Sequence, residues 1–276
     1  MLLAQLTDTH VVREGSLYFG IATERYLADA IAAVNALRPL PDAAVVTGDL
    51  TNFGKPAEYE RFVALMQTLR VPYYVIPGNH DDRDAMRARL APETFGGSRE
   101  RRVRYAVDVA GVRLIGLDGT GHERWPGGSL DRASLAWLET TLASDRTTPT
   151  IVCVHQPPFR TGMHYMDAMG YPGARRFARI VAAHPNVGRI LSGHIHCVRS
   201  ARIGRALALS APSTAPQIVP ELFERRAFAM RHETPGFALH AFDAATGFRS
   251  TIVRRDANGR YAPVAGPGDS GANDAA

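Results

Sequence analysis

Apolar runs recur along this chain at the length of a strand and no longer: Leu2 to Leu6, Ala43 to Val46, Tyr73 to Ile76, Val112 to Leu117, Ile151 to Val154 and Val187 to Leu191. Each is bounded by turn-forming or polar residues, as a strand buried in a sheet should be. Between several of them, aliphatic residues fall three or four apart, over Thr23 to Leu37, Ala57 to Leu69, Arg132 to Leu142 and Ala174 to Ala183. That alternation of strand and helix restricts the chain to a layered α/β fold. Helix starts are marked too. Lys55-Pro56 opens one, and Ser129-Leu130-Asp131 offers a hydroxyl or carboxylate to the free N–H groups of another.

In the last third, Ala206 to Ser210, Gly236 to Phe242 and Thr251 to Arg254 read as strands extending a second sheet, with Ala244 to Gly247 as a hairpin connection. Gly119 to Gly128 reads as a surface loop. One main domain over residues 1–260 is expected, its last third a small cap or dimerisation part. Residues 261–276 are dominated by Pro, Gly, Ala, Ser and Asp and should form a flexible tail, since they bury too little to offset the entropy of ordering.

Composition removes several classes of protein. With 45% hydrophobic and 21% charged residues the chain is not of the disordered type. A net charge of +5 invites an anionic partner, but arginines such as Arg99, Arg101, Arg102 and Arg104 read as solvated surface, so nucleic acid is not the expected partner. Cys153 and Cys197 cannot build a multi-bridge framework, and the chain opens without a basic and then long apolar leader, so a cytoplasmic location is expected. No run approaches the roughly 20 apolar residues of a membrane-spanning helix. A homo-oligomer is the expected assembly.

The chemistry lies at the strand ends. Asp8 and His10 follow the first run two residues apart, on one side of an extended chain, and can chelate one ion. Gly48-Asp49 follows the second, and Pro77-Gly78-Asn79-His80-Asp81 follows the third. His155 ends the Ile151 run before Pro157-Pro158, and Gly193-His194-Ile195-His196 follows the last. Each motif alone has a plain structural reading, Gly-Asp and Gly-Asn as turns and His155 as a core residue. One metal centre explains them together, with its mixture of nitrogen and oxygen donors and its placement where α/β sheets bind ligands.

The order D-x-H, G-D, G-N-H-D, H, G-H-x-H resembles that of the calcineurin-like metallophosphoesterases, over Leu2 to about Cys197. Within them, Thr7-Asp8-Thr9-His10, Gly78-Asn79-His80-Asp81-Asp82 and Pro235-Gly236-Phe237 are similar to class III cyclic nucleotide phosphodiesterases and bacterial glycerophosphodiesterases. The resemblance implies a four-layer α/β/β/α sandwich of two mixed β-sheets with metals at the C-terminal strand ends. It implies that Asp8, His10, Asp49 and His196 hold one divalent ion, and Asp49, Asn79, His155 and His194 a second. Fe, Mn or Zn is expected, with Co as a further choice.

The activity implied is hydrolysis of a small phosphodiester, a 3',5'-cyclic nucleotide or a glycerophosphodiester, by hydroxide formed on a metal pair about 3.5 to 4 Å apart. His80 would donate to a phosphoryl oxygen or protonate the leaving oxygen, Asp81 would orient His80, and the Asn79 amide would leave the metals more electrophilic than a third carboxylate. A phosphomonoesterase, a nuclease and a non-catalytic scaffold of the same fold are the alternatives. One departure is evident. Where several relatives carry a histidine, this chain reads Ser213-Thr214-Ala215-Pro216-Gln217.

Other features are given ordinary roles. Cys153 and Cys197 read as small buried hydrophobes. His122, His164, His184, His232 and His240 read as surface or packing residues. Leu222 to His232 mixes aromatic and basic residues, as a lid, a subunit contact or a satellite of the core would.

Overall fold

The computed structural model describes residues 1–121, 126–218, 230–231, 234–256 and 258–263. The chain runs β1 (Leu2–Leu6), α1 (Thr23–Ala36), β2 (Ala43–Thr47), α2 (Pro56–Met66), β3 (Tyr73–Ile76) and α3 (Arg83–Arg89), then a 3-10 turn at Pro92–Phe95. It continues through β4 (Arg104–Val109), β5 (Val112–Leu117), α4 (Arg132–Ala143), β6 (Thr150–Cys153), α5 (His164–Met169), α6 (Ala174–Ala182) and β7 (Val187–Ser192). It closes with β8 (Arg199–Ile203), β9 (Ala206–Ser210), β10 (Gln217–Ile218), β11 (Met230–Arg231), β12 (Gly236–Asp243), β13 (Gly247–Arg255) and β14 (Tyr261–Pro263).

Two six-stranded mixed sheets result, ordered β14-β13-β12-β1-β2-β3 and β4-β5-β6-β7-β9-β8. Their central strands are parallel: β1 with β2, β2 with β3, β5 with β6, β6 with β7 and β7 with β9. Such strands are covered on both faces, which is why their sequences are unbroken apolar runs rather than alternating ones.

The period of two shows what covers each face. Leu114, Ile151, Cys153 and Leu191 join the core shared with the first sheet, whereas Ile115, Val152, Val154 and Ile190 pack with Leu135 and Leu138 of α4 and Phe177 and Ile180 of α6. On the other side, Leu27, Ile31 and Val34 of α1 and Tyr59, Phe62 and Met66 of α2 complete the core of the first sheet. Helix, sheet, sheet and helix therefore stack in four layers. A fully buried side chain such as Phe62 contributes roughly 1.5–3 kcal/mol relative to exposure.

Local signals place the helix starts. Pro56 is the first residue of α2, and Glu58 accepts from Phe53 N and Lys55 N at 2.9 and 3.1 Å. The Asp131 carboxylate accepts from Ser134 N at 2.7 Å, capping α4. Such a cap stabilises by about 1 kcal/mol.

The structure differs from the sequence reading in three places. Of the late strands, only β9 and its partner β8 extend the second sheet; β12 and β13 pair outward from β1 in the first. Parallel crossovers leave one edge of β1 open, and an antiparallel strand entering from the far end of the chain fills it. Tyr261–Pro263, assigned above to the tail, pairs with β13 through Val253 to Arg255, while residues 264–276 lie outside the described residues. Gly119 to Gly128 is not a surface loop at its described ends, because Gly119, Thr120, Gly121, Gly127 and Gly128 are all buried. Arg83 explains this: it pairs with Asp118 at 2.6 Å and donates to Thr120 O at 2.8 Å, drawing the segment against α3.

Among the described residues no helix is long and apolar enough to cross a membrane. His122, His232 and most of Leu222 to His232 lie outside the described residues.

Candidate metal centre

Register brings the strand ends together. Leu6 pairs with Val46 and Thr47 with Ile76, so the residues just beyond β1, β2 and β3 emerge at one level of the sheet. Backbone pairing continues past the strands, with Asp8 N donating to Gly48 O, His10 N to Asp49 O and Val11 N to Leu50 O at 3.0, 2.9 and 3.1 Å. In the second sheet Cys153 pairs with Leu191, and Gly193 N donates to His155 O at 2.9 Å.

The two sets of loops meet at this end. Asp8, His10, Asp49 and His196 offer ligand atoms that all lie within 4.8 Å of one another, and all four residues are buried. Asn79 Oδ1 lies 3.2 Å from His155 Nε2 and 2.9 Å from His194 Nδ1. Asp49 Oδ2 stands between the groups, 3.6 Å from His10 Nε2 and 3.4 Å from His155 Nε2.

These donors are held by strained backbone. Among the described residues, seven non-glycine residues have positive φ, and five of them are Asp8, His10, Asp49, His194 and His196. The left-handed region costs an L-residue of order 1–2 kcal/mol, so its concentration here marks a site over-determined by its surroundings. Glycine supplies the closest approaches. A Cβ on Gly48, at φ 98°, would strike the His155 ring, and one on Gly78 would enter the Asp49 carboxylate.

Three of the imidazoles are oriented from behind. His155 Nδ1 donates to Thr47 O at 2.7 Å and His196 Nδ1 to Pro216 O at 2.7 Å, while His10 Nδ1 meets Asn52 Oδ1 at 3.1 Å. In all three, Nε2 faces the centre, the arrangement that outer partners impose on ligating histidines. The Nε2 atoms of His10 and His196 approach to 3.0 Å. Two buried ring nitrogens thus face one point, close enough to share a cation. The segment Ser213 to Gln217, without an imidazole, thus contributes through the Pro216 carbonyl.

In the metal-free chain, the buried carboxylates and imidazoles balance one another's charge. Burial alone would raise the Asp8 and Asp49 carboxyls, but His196 beside Asp8 and His155 beside Asp49 hold both below the ordinary carboxylate range. Burial pushes His10 and His194 down to about 3, leaving them neutral. For His155 burial also acts downward, yet the Asp49 carboxylate outweighs it and lifts the imidazole to about 9; Asp8 lifts His196 likewise. Two ionised carboxylates buried among imidazoles and an amide oxygen fit two divalent cations.

His80 and Asp81 take different positions from each other. His80 is half-buried beside Asn79, its N–H donating to Asp49 Oδ1 at 2.8 Å and its Nδ1 to Asn52 O at 2.8 Å. Asp81 does not touch His80. Its carboxylate accepts from Gly78 N, Leu50 N, Thr51 N and Tyr59 OH at 2.9, 3.1, 3.2 and 3.0 Å, tying the Asp49 loop to the Asn79 loop. Burial and then the Asp49 charge raise its carboxyl to about 6. The hydrogen-bond partner of the His80 ring is the Asn52 carbonyl and not Asp81, because the tight turn aims Asp81 back at backbone N–H groups.

Sequence reading missed Asn52 and Tyr18. Tyr18 stacks on His10, with ring centroids 4.7 Å apart and planes at 19°. Asn52 stands three residues past Asp49, a weak local signal; Tyr18 lies in a loop with none. The remaining described histidines have structural partners or lie outside the centre: His184 Nδ1 meets Ile180 O at 2.8 Å, and His240 bridges Ser250 and Gln5. Cys153 and Cys197 are both buried, as small hydrophobes would be.

This fold and centre define a dinuclear metallohydrolase scaffold, and the chain belongs to the calcineurin-like phosphoesterase family, whose model matches residues 1–198. It is 35% identical to glycerophosphodiester phosphodiesterase GpdQ of Enterobacter lignolyticus over 222 residues, 79% of each chain. It is 29% identical to the 3',5'-cyclic adenosine monophosphate phosphodiesterase CpdA of Escherichia coli K12 over 273 residues, 95% of this chain and 92% of that one. Among solved structures, a dimetal phosphatase from Danio rerio superposes with a TM-score of 0.68 at 12% identity, covering 92% of this chain and 95% of the other, a likeness of fold.

Proposed function

We propose that the chain is a metal-dependent phosphodiesterase acting on small diesters, of the 3',5'-cyclic nucleotide or glycerophosphodiester class. The observation that carries this reading is the convergence of seven donors, Asp8, His10, Asp49, Asn79, His155, His194 and His196, around one shared carboxylate. Asp8, His10, Asp49 and His196 would hold one cation and Asp49, Asn79, His155 and His194 the other. Imidazole with carboxylate and amide oxygen suits Fe, Mn or Zn. When bound, the pair supplies Lewis-acid charge for the phosphoryl oxygens and lowers the pKa of water.

The chain's own groups do the rest. Asp49 spans both donor groups and keeps its charge despite full burial. His80, with Nδ1–H committed to Asn52 O, has Nε2 free for substrate. As imidazolium it donates from Nε2 to a phosphoryl oxygen and passes that proton to the departing alkoxide. Asp81 keeps the two ligand loops in register.

The test is turnover of a bis-aryl phosphate, cyclic AMP and glycerophosphodiesters after reconstitution with Mn, Fe or Zn, alongside metal content. Diester turnover with two metals bound is expected. His80→Ala should lower kcat by roughly 10²-fold or more on alkyl diesters and less on aryl ones, whose leaving groups need no proton. A protein that binds two metals and turns over no diester overturns the reading.

A further inference from the structure

Asn52 is 5% exposed and touches the centre twice, by two chemically different atoms. Its side-chain Oδ1 meets His10 Nδ1 at 3.1 Å, and its backbone carbonyl meets His80 Nδ1 at 2.8 Å. The two imidazoles stand edge to face, with centroids 4.7 Å apart and planes at 86°. Resting on the phosphodiesterase reading, we infer that Asn52 is a positioning residue that sets the tautomer of both, orienting His10 toward the metals through its amide and His80 toward the leaving group through its carbonyl.

The backbone of Asn52 is itself fixed. Its N–H donates to Val11 O at 3.0 Å, and Val11 pairs with Thr51 as an extension of the β1 and β2 ladder. The carbonyl therefore arrives at His80 from the sheet rather than from a free loop. A neutral imidazole has one N–H and one lone pair, and an acceptor at Nδ1 places the proton there and the lone pair at Nε2. For His10 that lone pair faces His196 Nε2 at 3.0 Å and Asp49 Oδ2 at 3.6 Å. For His80 the same tautomer leaves Nε2 to gain a proton and pass it on. Substituting the side chain removes only the first contact, since every residue at position 52 keeps a carbonyl.

That asymmetry makes the inference testable. Asn52→Ala, Asn52→Leu and Asn52→Asp are compared by calorimetric titration with Mn(II) or Zn(II), and by ¹⁵N NMR of histidine-labelled, metal-free protein. Ala and Leu should weaken binding of one ion of the two by roughly 10–100-fold, the usual cost of losing an outer partner of a ligand. Asp, which can only accept, should restore it. In the spectra of the Ala variant His10 should lose its fixed Nδ1–H form while His80 keeps it. Thermal unfolding of each metal-free variant identifies any that fails to fold, and Leu, close in volume, then stands in for Ala. Wild-type affinity in both Ala and Leu, or equal loss in Asp, overturns the inference. If the wild type turns over no diester while Ala still loses one ion, the activity reading fails and the positioning role stands.

Discussion

The two sheets bring different chemistry to their common end. The first contributes Asp8, Asp49 and Asn79, all the side-chain oxygen donors, with one imidazole, His10. The second contributes only imidazoles, His155, His194 and His196. Neither half is a metal site alone. The first would bury two carboxylates without a counter-charge, and the second three rings without an anion, and isolated buried charge is costly. The sheets are also tied directly here: Gln5 Nε2 donates to Ser192 O at 2.9 Å, His155 Nδ1 to Thr47 O, and His194 N to the Asp8 carboxylate at 3.0 Å. Metal binding and the packing of one sheet on the other are thus coupled, and the contrast between the halves can be broken in graded ways.

The largest effect should come from Asp49, the carboxylate proposed to serve both ions. Asp49→Ala removes the anion next to His10 and His155 together, and both ions and all diester turnover should be lost to background. His155→Ala takes one donor from the second sheet and leaves Asp8, His10, Asp49 and His196 in place. It should retain one ion. Metal stoichiometry by elemental analysis separates the two variants, and an equal loss in both would remove the distinction between shared and single-ion donors.

A smaller effect follows from the protons that the first sheet induces in the second. His155 is raised from an ordinary 6.5 to about 9 in the folded chain. A raised histidine contributes stability that is fully present below about pH 6.5 and lost as pH rises through about 9. The metal-free protein should therefore lose thermal stability across that window. Cations compete with those protons, so metal affinity should rise with pH over the same range and binding should release protons. Calorimetry in buffers of different ionisation enthalpy counts them; an affinity flat between pH 6.5 and 9 would contradict the coupling.

The smallest effect lies away from the shared end. Asp131→Ala removes the cap of α4 on the outer face of the second sheet and should cost about 1 kcal/mol, a Tm drop of roughly 2–4 °C, with metal content unchanged. A change in metal stoichiometry in this variant would mean that the coupling reaches the outer helices as well.

The alternation of strand and helix, the boundaries of β1, β3 and β5 to the residue, and the family were all legible in the amino-acid order, because they follow from local periodicity and from the order of ligand types after each apolar run. That order also marked the seven residues proposed as donors, since Asp, His and Asn at strand ends are legible one motif at a time. Only the tertiary structure decided that β12 and β13 close the open edge of β1, since strand pairing is a choice among distant partners with similar patterns. It alone decided that Asp81 braces backbone while Asn52 orients two histidines, because which acceptor an imidazole meets depends on how two loops fold past each other. The left-handed backbone at Asp8, His10, Asp49, His194 and His196 belongs to the same category. No local preference asks for it, and only the packing of two sheets face to face makes the strained conformation the one that brings carboxylates and imidazoles to a common point.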